Sequence, residues 1–427
     1  MAASSAKVPA LPAPPVMPVT PSGPRYLALC AHHTAPLVAQ ELGALPDVAE
    51  VEVGPGGVSF TGPLAALYRA NLHLRCASRV LQLLCDLRCD GPDDLYAAAR
   101  AIPWEQFMRP DGTLAVSAHG LLPSIDNSMF AALRVKDAVC DRFRDLFGVR
   151  PDIDVKQPML RINVQLYESG KKEGGGPEPR CSLSLDSSDP PLHHRGYRHS
   201  GGEAPLKETL AATIIALTGY PELAVDAALP IEGTASVQRA GELPPLVDLC
   251  CGSGTLLCEG GLRAQKVAPG LSRRFGFMTW RDYDATLWQR LCDEARAQKR
   301  TVTEPFLYGA DLDARAVQMT QRGLEAAGLL AVARLTCGDL RDAGPPPGPP
   351  GIVVCNPPYG ERLGQDADLV ALYRGLGDTL KRRFAGYTAY VFTANLALGR
   401  QIGLRPSARH VLYNANLEGR LLQFKLY

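Results

Sequence analysis

Four consecutive residues, Asn356-Pro357-Pro358-Tyr359, bring together an amide, two prolines and a phenol ring directly after the apolar run Ile352–Cys355. That run has the length and β-branching of a buried central strand, and the prolines forbid further ladder pairing, so the strand must end in a rigid corner. Such a corner can present the Asn356 amide oxygen, the Pro357 carbonyl and the Tyr359 ring to one point beyond the strand's C-terminal edge, where open α/β sheets bind ligands. Two acceptors and a stacking face suit a planar base with an exocyclic amine: the acceptors hold the NH2, the ring stacks, and the nitrogen is left facing an electrophile. An ordinary Asn/Pro turn looks the same over four residues. What separates the two readings is a second nucleotide-type loop earlier in the chain.

That loop is Asp248-Leu249-Cys250-Cys251-Gly252-Ser253-Gly254-Thr255, which follows the buried-strand run Leu246–Leu249 and opens a helix through Leu262. Gly252 and Gly254 allow close backbone approach to a ligand and a sharp turn into the helix. The third glycine of the dinucleotide fingerprint is replaced by Leu257, and the P-loop lysine is missing, so a ligand without pyrophosphate is preferred. An adenosine carrying a sulfonium amino acid fits, with Asp248 meeting its ammonium and the glycine backbone its carboxylate and ribose. Asp311, at the end of the next strand (305–310), is placed to grip the ribose hydroxyls, although it comes far later than the ~20 residues usual in dinucleotide folds. An insertion, 268–300, accounts for the gap. Its Arg273, Arg274, Phe275, Phe277 and Trp280 interleave basic and aromatic residues, as single-strand binders do, or else form a lid with its aromatics turned inward. A third strand, 332–337, ends in Gly338-Asp339, which sets a carboxylate where an adenine amino group would lie.

With 427 residues, 46% of them apolar, two or three folded domains are expected. Charge is balanced, 45 basic against 44 acidic, so any nucleic-acid affinity must come from local patches. No run reaches the roughly 18 apolar residues of a membrane span. The twelve cysteines form no CxxC pair; they read as reduced thiols, and neither a structural zinc nor any other metal is expected.

Residues 1–24, almost wholly Ala, Pro, Ser and Val, are expected to be a disordered tail and not an export or transit signal. A small β-α-β unit follows over 25–75. Within 76–190, Met129–Phe147 has a helical stripe (Phe130, Leu133, Val139, Phe143, Leu146) opposite a mixed-charge row of Arg134, Lys136, Arg142 and Arg144. Strands 160–167 and 181–186 are joined by a glycine-rich loop, 168–180. Leu192–Arg198, LHHRGYR, reads as a basic substrate-facing loop, since His193 and His194 lack companions at metal-ligand spacing. From 191 to 427 strands alternate with helices and end in a hairpin, 409–414 and 421–427. That describes a seven-stranded doubly wound α/β sheet with one reversed strand.

LHHRGYR, APLKETLAA, DLCCGSGTLLCEG, APGLSRRFGF, GADLDARAV, CGDLRD and NPPYGERLG, in that order, closely resemble bacterial large-subunit ribosomal RNA guanine-N2 methyltransferases. These are class I S-adenosylmethionine enzymes preceded by a ferredoxin-like segment and a THUMP RNA-binding domain, which LRVKDAVCDRF resembles more loosely. The resemblance implies S-adenosylmethionine held about Pro205, Asp248, Cys250, Gly252, Gly254, Thr255, Asp311, Asp339 and Asn356. It implies chemistry at Asn356, Pro357, Pro358 and Tyr359, and RNA contact by Arg195, Tyr197, Arg198, Arg273, Arg274 and Arg362. The implied substrate is a guanine of 23S ribosomal RNA, modified in the cytoplasm by what is expected to be a monomer. Some members carry a second methyltransferase domain; with the sequence ending at Tyr427, a single activity is expected. The alternatives are a transfer RNA guanine, a DNA adenine N6 amine, and an assembly factor that binds RNA without turnover.

Overall fold

The computed structural model describes residues 19–20, 23–170, 176–198, 206–221, 243–360, 366–414 and 417–427. Two sheets organise them.

The first sheet is built from β1 (Val19–Thr20), β2 (Gly23–Cys30), β3 (Ala49–Gly54), β4 (Gly57–Thr61), β5 (Ala77–Arg88), β6 (Thr113–His119), β7 (Asp152–Ile153), β8 (Leu160–Ser169) and β9 (Glu178–Asp186). Its order is β3-β4-β2-β5-β9-β8-β6-β7, with β1 paired to β2. Among the described residues, Val19 already pairs with Pro24, ahead of the expected end of the tail. β5 follows the anticipated 75/76 junction and bonds to β2 on one side and β9 on the other, so ferredoxin-like and THUMP segments share one continuous sheet.

Helices α1 (Ala35–Gly43), α2 (Leu64–His73), α3 (Pro92–Ala101) and α4 (Ser128–Phe147) accompany this sheet. Asn127 caps α4 through the amides of Met129 and Phe130, and Gly148, at φ 71°, closes it. The anticipated apolar stripe of α4 is divided. Val139 and Phe143 are buried, but Phe130, Leu133 and Leu146 are exposed, while Arg142 goes inside and forms a bidentate pair with Glu105 at 2.6 and 2.8 Å. A partner on a neighbouring segment outweighs helical periodicity there.

The second sheet consists of β10 (Leu246–Asp248), β11 (Leu307–Asp311), β12 (Ala333–Cys337), β13 (Ile352–Cys355), β14 (Thr388–Thr393), β15 (Ala408–Asn414) and β16 (Leu417–Lys425), in the order β12-β11-β10-β13-β14-β16-β15. β10 to β14 run parallel and β16 is antiparallel to both its neighbours, which gives the single reversed strand. α5 (Glu208–Thr218), α6 (Thr255–Ala264), α7 (Ala285–Ala297), α8 (Ala314–Ala326), α9 (Asp366–Arg383) and α10 (Leu396–Gln401) connect or flank it.

The insertion between α6 and β11 is a lid packed inward. Phe275, Phe277 and Trp280 are buried, and Phe277 stacks on Tyr68 of α2 with ring centroids 4.4 Å apart. Its backbone is tied to the first module by Gly270 N to Leu72 O at 2.9 Å and Phe277 N to Ser187 O at 3.1 Å. The insertion therefore belongs to the core of the N-terminal module, not to a single-strand binding surface.

Candidate active site

β10 and β13 are parallel neighbours, with Leu246 opposite Ile352 and Val247 opposite Val353. β11 and β12 lie beyond β10, whereas β14 lies beyond β13, so the strand order reverses between the two and a crevice opens at their C-terminal ends. The segments entering it are the 249–254 loop after β10, Asp311 after β11, and Asn356–Tyr359 after β13.

The glycine loop is held by its neighbours. Gly252 and Gly254 take φ of 55° and 75°, the left-handed region open to glycine at least cost. Gly254 N bonds Cys251 O at 2.7 Å, and Thr320 Oγ1 of α8 donates to Gly252 O at 2.9 Å. A Cβ on Gly254 would lie 2.8 Å from Thr320 Cγ2, while one on Gly252 would meet nothing within 4 Å, so the loop is backed on one side and open on the other. Asp311 Oδ2 accepts from Gly252 N at 2.9 Å and its Oδ1 from Asp313 N at 3.0 Å, which leaves a lone pair on each oxygen.

Asp248 is 1% exposed and accepts from Cys250 N at 3.1 Å. Burial pushes its carboxyl up to about 8, the Cys250 amide opposing the rise and Asp311 adding to it. A carboxyl so perturbed at a ligand-binding sheet edge is a candidate functional group. The β10 and β13 ends also meet: burial raises the Cys355 thiol pKa, with the backbone amides of Leu249 and Cys250 lowering it.

At the corner, Asn356 Oδ1 is buried with no hydrogen-bond partner among the described residues. An unmet acceptor costs about 1–3 kcal/mol, so its retention points to a donor that arrives from outside. Pro357 is buried, Pro358 exposed and Tyr359 half-buried. Tyr359 lies near enough to Tyr373 of α9 to bear on its pKa, and the Tyr373 hydroxyl is itself fixed to Thr393 Oγ1 at 2.9 Å.

Asp248, Cys250, Gly252, Gly254, Thr255, Asp311 and Asn356–Tyr359 therefore share one sheet edge. Asp339 reaches the same edge, where Arg341 Nε binds its carboxylate at 2.9 and 3.0 Å. Pro205 and Arg362 fall outside the described residues.

The anticipated RNA contacts need correction. Arg195 and Tyr197 are 3% and 5% exposed, and both bond to Glu259 of α6, Arg195 at 3.4 Å and Tyr197 at 2.9 Å. Arg198 bonds Leu206 O at 2.6 Å and Thr255 Oγ1 at 2.8 Å. Arg273 donates to the carbonyls of Ser188, Pro190, Pro191 and His194 and lies over the Phe275 ring. Only Arg274, exposed, retains the expected setting among these. Glu259, Thr320 and Tyr373 complete the arrangement; each depends on contacts between distant segments, and nothing local in the sequence marks them.

The sheet order, the single reversed strand and the two loops at the switch point define a class I methyltransferase-type domain behind a ferredoxin-like and THUMP module. Family models agree: an RlmL ferredoxin-like domain matches residues 25–81, a THUMP domain 91–170, and an RMKL-like methyltransferase domain 235–423. The chain is 37% identical over 407 residues to a putative RNA methyltransferase from Synechocystis, covering 94% of this chain and 97% of that protein. It is 42% identical over 405 residues to the ribosomal RNA large subunit methyltransferase K/L of Allochromatium vinosum, covering 94% of this chain and 51% of the relative. A putative methyltransferase solved as a complex with SAH superimposes with a TM-score of 0.79 at 25% identity, over 95% of this chain and 98% of that one. The chain belongs to the THUMP-domain methyltransferases with an RMKL-like catalytic domain. It spans about half the length of the K/L relatives it matches.

Proposed function

We propose that the chain transfers a methyl group from S-adenosylmethionine to the exocyclic N2 amine of a guanine in 23S ribosomal RNA. The observation that carries this is the buried Asn356 Oδ1 at the switch point, without a hydrogen-bond partner among the described residues, beside the open glycine loop. The relatives named for large-subunit ribosomal RNA support the substrate class.

The loop fits the cofactor: Gly252 and Gly254 would take its amino-acid and ribose portions, Asp248 its ammonium, and the free lone pairs of Asp311 its ribose hydroxyls. Bound there, S-adenosylmethionine supplies a sulfonium-activated methyl. The guanine amine is a poor nucleophile because its lone pair is delocalised into the ring. Asn356 Oδ1 and the Pro357 carbonyl accept its two N–H groups and turn the lone pair outward, while Tyr359 stacks on the flipped base. As the nitrogen gains the methyl, the sulfur–carbon bond would break to leave a neutral thioether and the surplus amine proton would pass to solvent; positioning supplies most of the acceleration, and no strong general base is required.

All twelve cysteines are free, and no helix among the described residues is long and apolar enough to cross a membrane. A cytoplasmic site of action belongs to the same proposal.

Incubation with labelled S-adenosylmethionine and separate pools of 23S ribosomal RNA, transfer RNA and DNA, followed by digestion to nucleosides, tests the assignment. N2-methylguanosine from the ribosomal pool is the expected product. Label confined to transfer RNA or DNA overturns it, and no label in any pool favours a binding factor.

A further inference from the structure

A cavity of about 200 Å3 lies on the seam between the two modules, where the end of β2 and the start of β5 face α5 and β15. Most of its hydroxyls are committed: Thr34 donates to Ala31 O at 2.7 Å, Ser78 to Leu29 O at 3.1 Å and Thr213 to Thr209 O at 2.8 Å. Lys207 and His193 also line it; neither side chain has a hydrogen-bond or ion-pair partner among the described residues, the His193 ring lying against that of His194 with centroids 4.4 Å apart. The charge there is one-sided. Burial and then the positive groups of His194, Lys207, Arg195 and Arg198 lower the His193 pKa to about 4, with no carboxylate opposing them. At the rim, His33 stacks on Tyr413 with centroids 6.2 Å apart, and His32 meets the same ring edge-on at 5.8 Å. The nearby Glu418 accepts from the Tyr413 hydroxyl and pairs with Arg420, each at 2.7 Å, so its charge is compensated.

A lysine ammonium and a neutral imidazole whose side chains have no partner among the described residues, with stacked rings at the mouth, supply the two elements that hold a single-stranded nucleotide, one for its phosphate and one for its base. We propose that this seam seats an unpaired nucleotide of the RNA, with a phosphodiester on Lys207 and His193 and a base against the Tyr413–His33 surface. The inference rests on the RNA reading above and assigns RNA contact to residues other than the buried Arg195 and Tyr197. Free inorganic phosphate shares the oxyanion chemistry, so the test separates the two sources.

The probe is a fluorescein-labelled oligouridylate of about 12 nucleotides, within the span such grooves track. Its affinity for the full chain is measured by anisotropy across a salt series, without methyl donor. Lys207→Gln is expected to lower the slope of log K against log salt by about 0.7, the value of one single-strand phosphate contact. Tyr413→Leu is expected to weaken binding about tenfold with the slope unchanged. Thermal melts establish that each variant is folded, and should Lys207→Gln melt early, Lys207→Met carries the same expectation. An unchanged slope in a folded variant, no binding of the oligonucleotide, or inorganic phosphate shifting the His193 imidazole resonances as strongly as the oligonucleotide does would each overturn the seat. Failure to methylate ribosomal RNA would instead sink the functional reading and leave this binding result standing.

Discussion

Arg195 and Glu259 face each other at 3.4 Å with side-chain exposures of 1% and 0%. Arg195 lies on the segment that leaves the N-terminal module and also donates to Leu192 O at 2.8 Å and Arg75 O at 2.6 Å. Glu259 lies on α6, the helix that opens from the glycine loop. The pair therefore fastens the N-terminal module to the element that presents the loop.

Removing one partner of a buried pair strands the other charge, at a cost of about 3–5 kcal/mol. Arg195→Met is expected to lower unfolding stability by that order in a urea titration. A double variant, Arg195→Met with Glu259→Leu, is expected to recover a large part of the loss. A single variant as stable as wild type would show that the pair contributes little.

Gly254→Ala tests the loop. The substitution places a Cβ in left-handed backbone, which costs about 1–2 kcal/mol, and drives it to 2.8 Å from Thr320 Cγ2. Calorimetric titration with S-adenosylmethionine is expected to show affinity lost by at least tenfold, with partial recovery in Gly254→Ala combined with Thr320→Ser. Unchanged affinity would separate the loop from the cofactor.

The buried Asp248 makes stability depend on pH. Its folded pKa is raised to about 8 from 3.8, so between those values the folded chain holds a proton that the unfolded chain has released. Stability from this group is full below about 4 and is lost as pH rises to about 8. Asp248→Asn mimics the protonated form, so its melting temperature relative to wild type is expected to climb across that window and level off above it. A constant difference would contradict the buried, protonated carboxyl.

Arg273 separates a structural role from RNA binding. Its guanidinium holds four carbonyls of the segment 188–194 and lies over Phe275. Arg273→Ala is expected to cost about 1–3 kcal/mol in thermal unfolding, chiefly through the part-buried carbonyls of Ser188 and Pro191, and to leave the salt dependence of RNA affinity unchanged. A reduced salt slope with unchanged stability would reverse that assignment.

The parts of this protein that were legible in its sequence are those determined locally. Ile352–Cys355 ends where two prolines stop the ladder, and the strand before Gly252 ends where backbone with positive φ is required, so both ends of the crevice can be read from their own residues. The fate of Arg195 and Tyr197 is different: it is decided by Glu259, some sixty positions later on another element. Arg142 on α4 repeats the lesson, since Glu105 draws it inside while Phe130 and Leu133 stay exposed. The insertion's basic–aromatic alternation fitted a nucleic-acid surface as well as a lid, and only the first module's Tyr68 and Leu72 decide between them.

The most direct test of the account is the single-turnover rate of methyl transfer to a 23S ribosomal RNA transcript by Asn356→Ala. The Asn356 acceptor matters when the amine becomes a nucleophile, so the rate is expected to fall by about a hundredfold or more, the scale of one preorganised hydrogen bond, while the variant stays folded. A rate within a few-fold of wild type would contradict the proposal that Asn356 Oδ1 grasps the base amine.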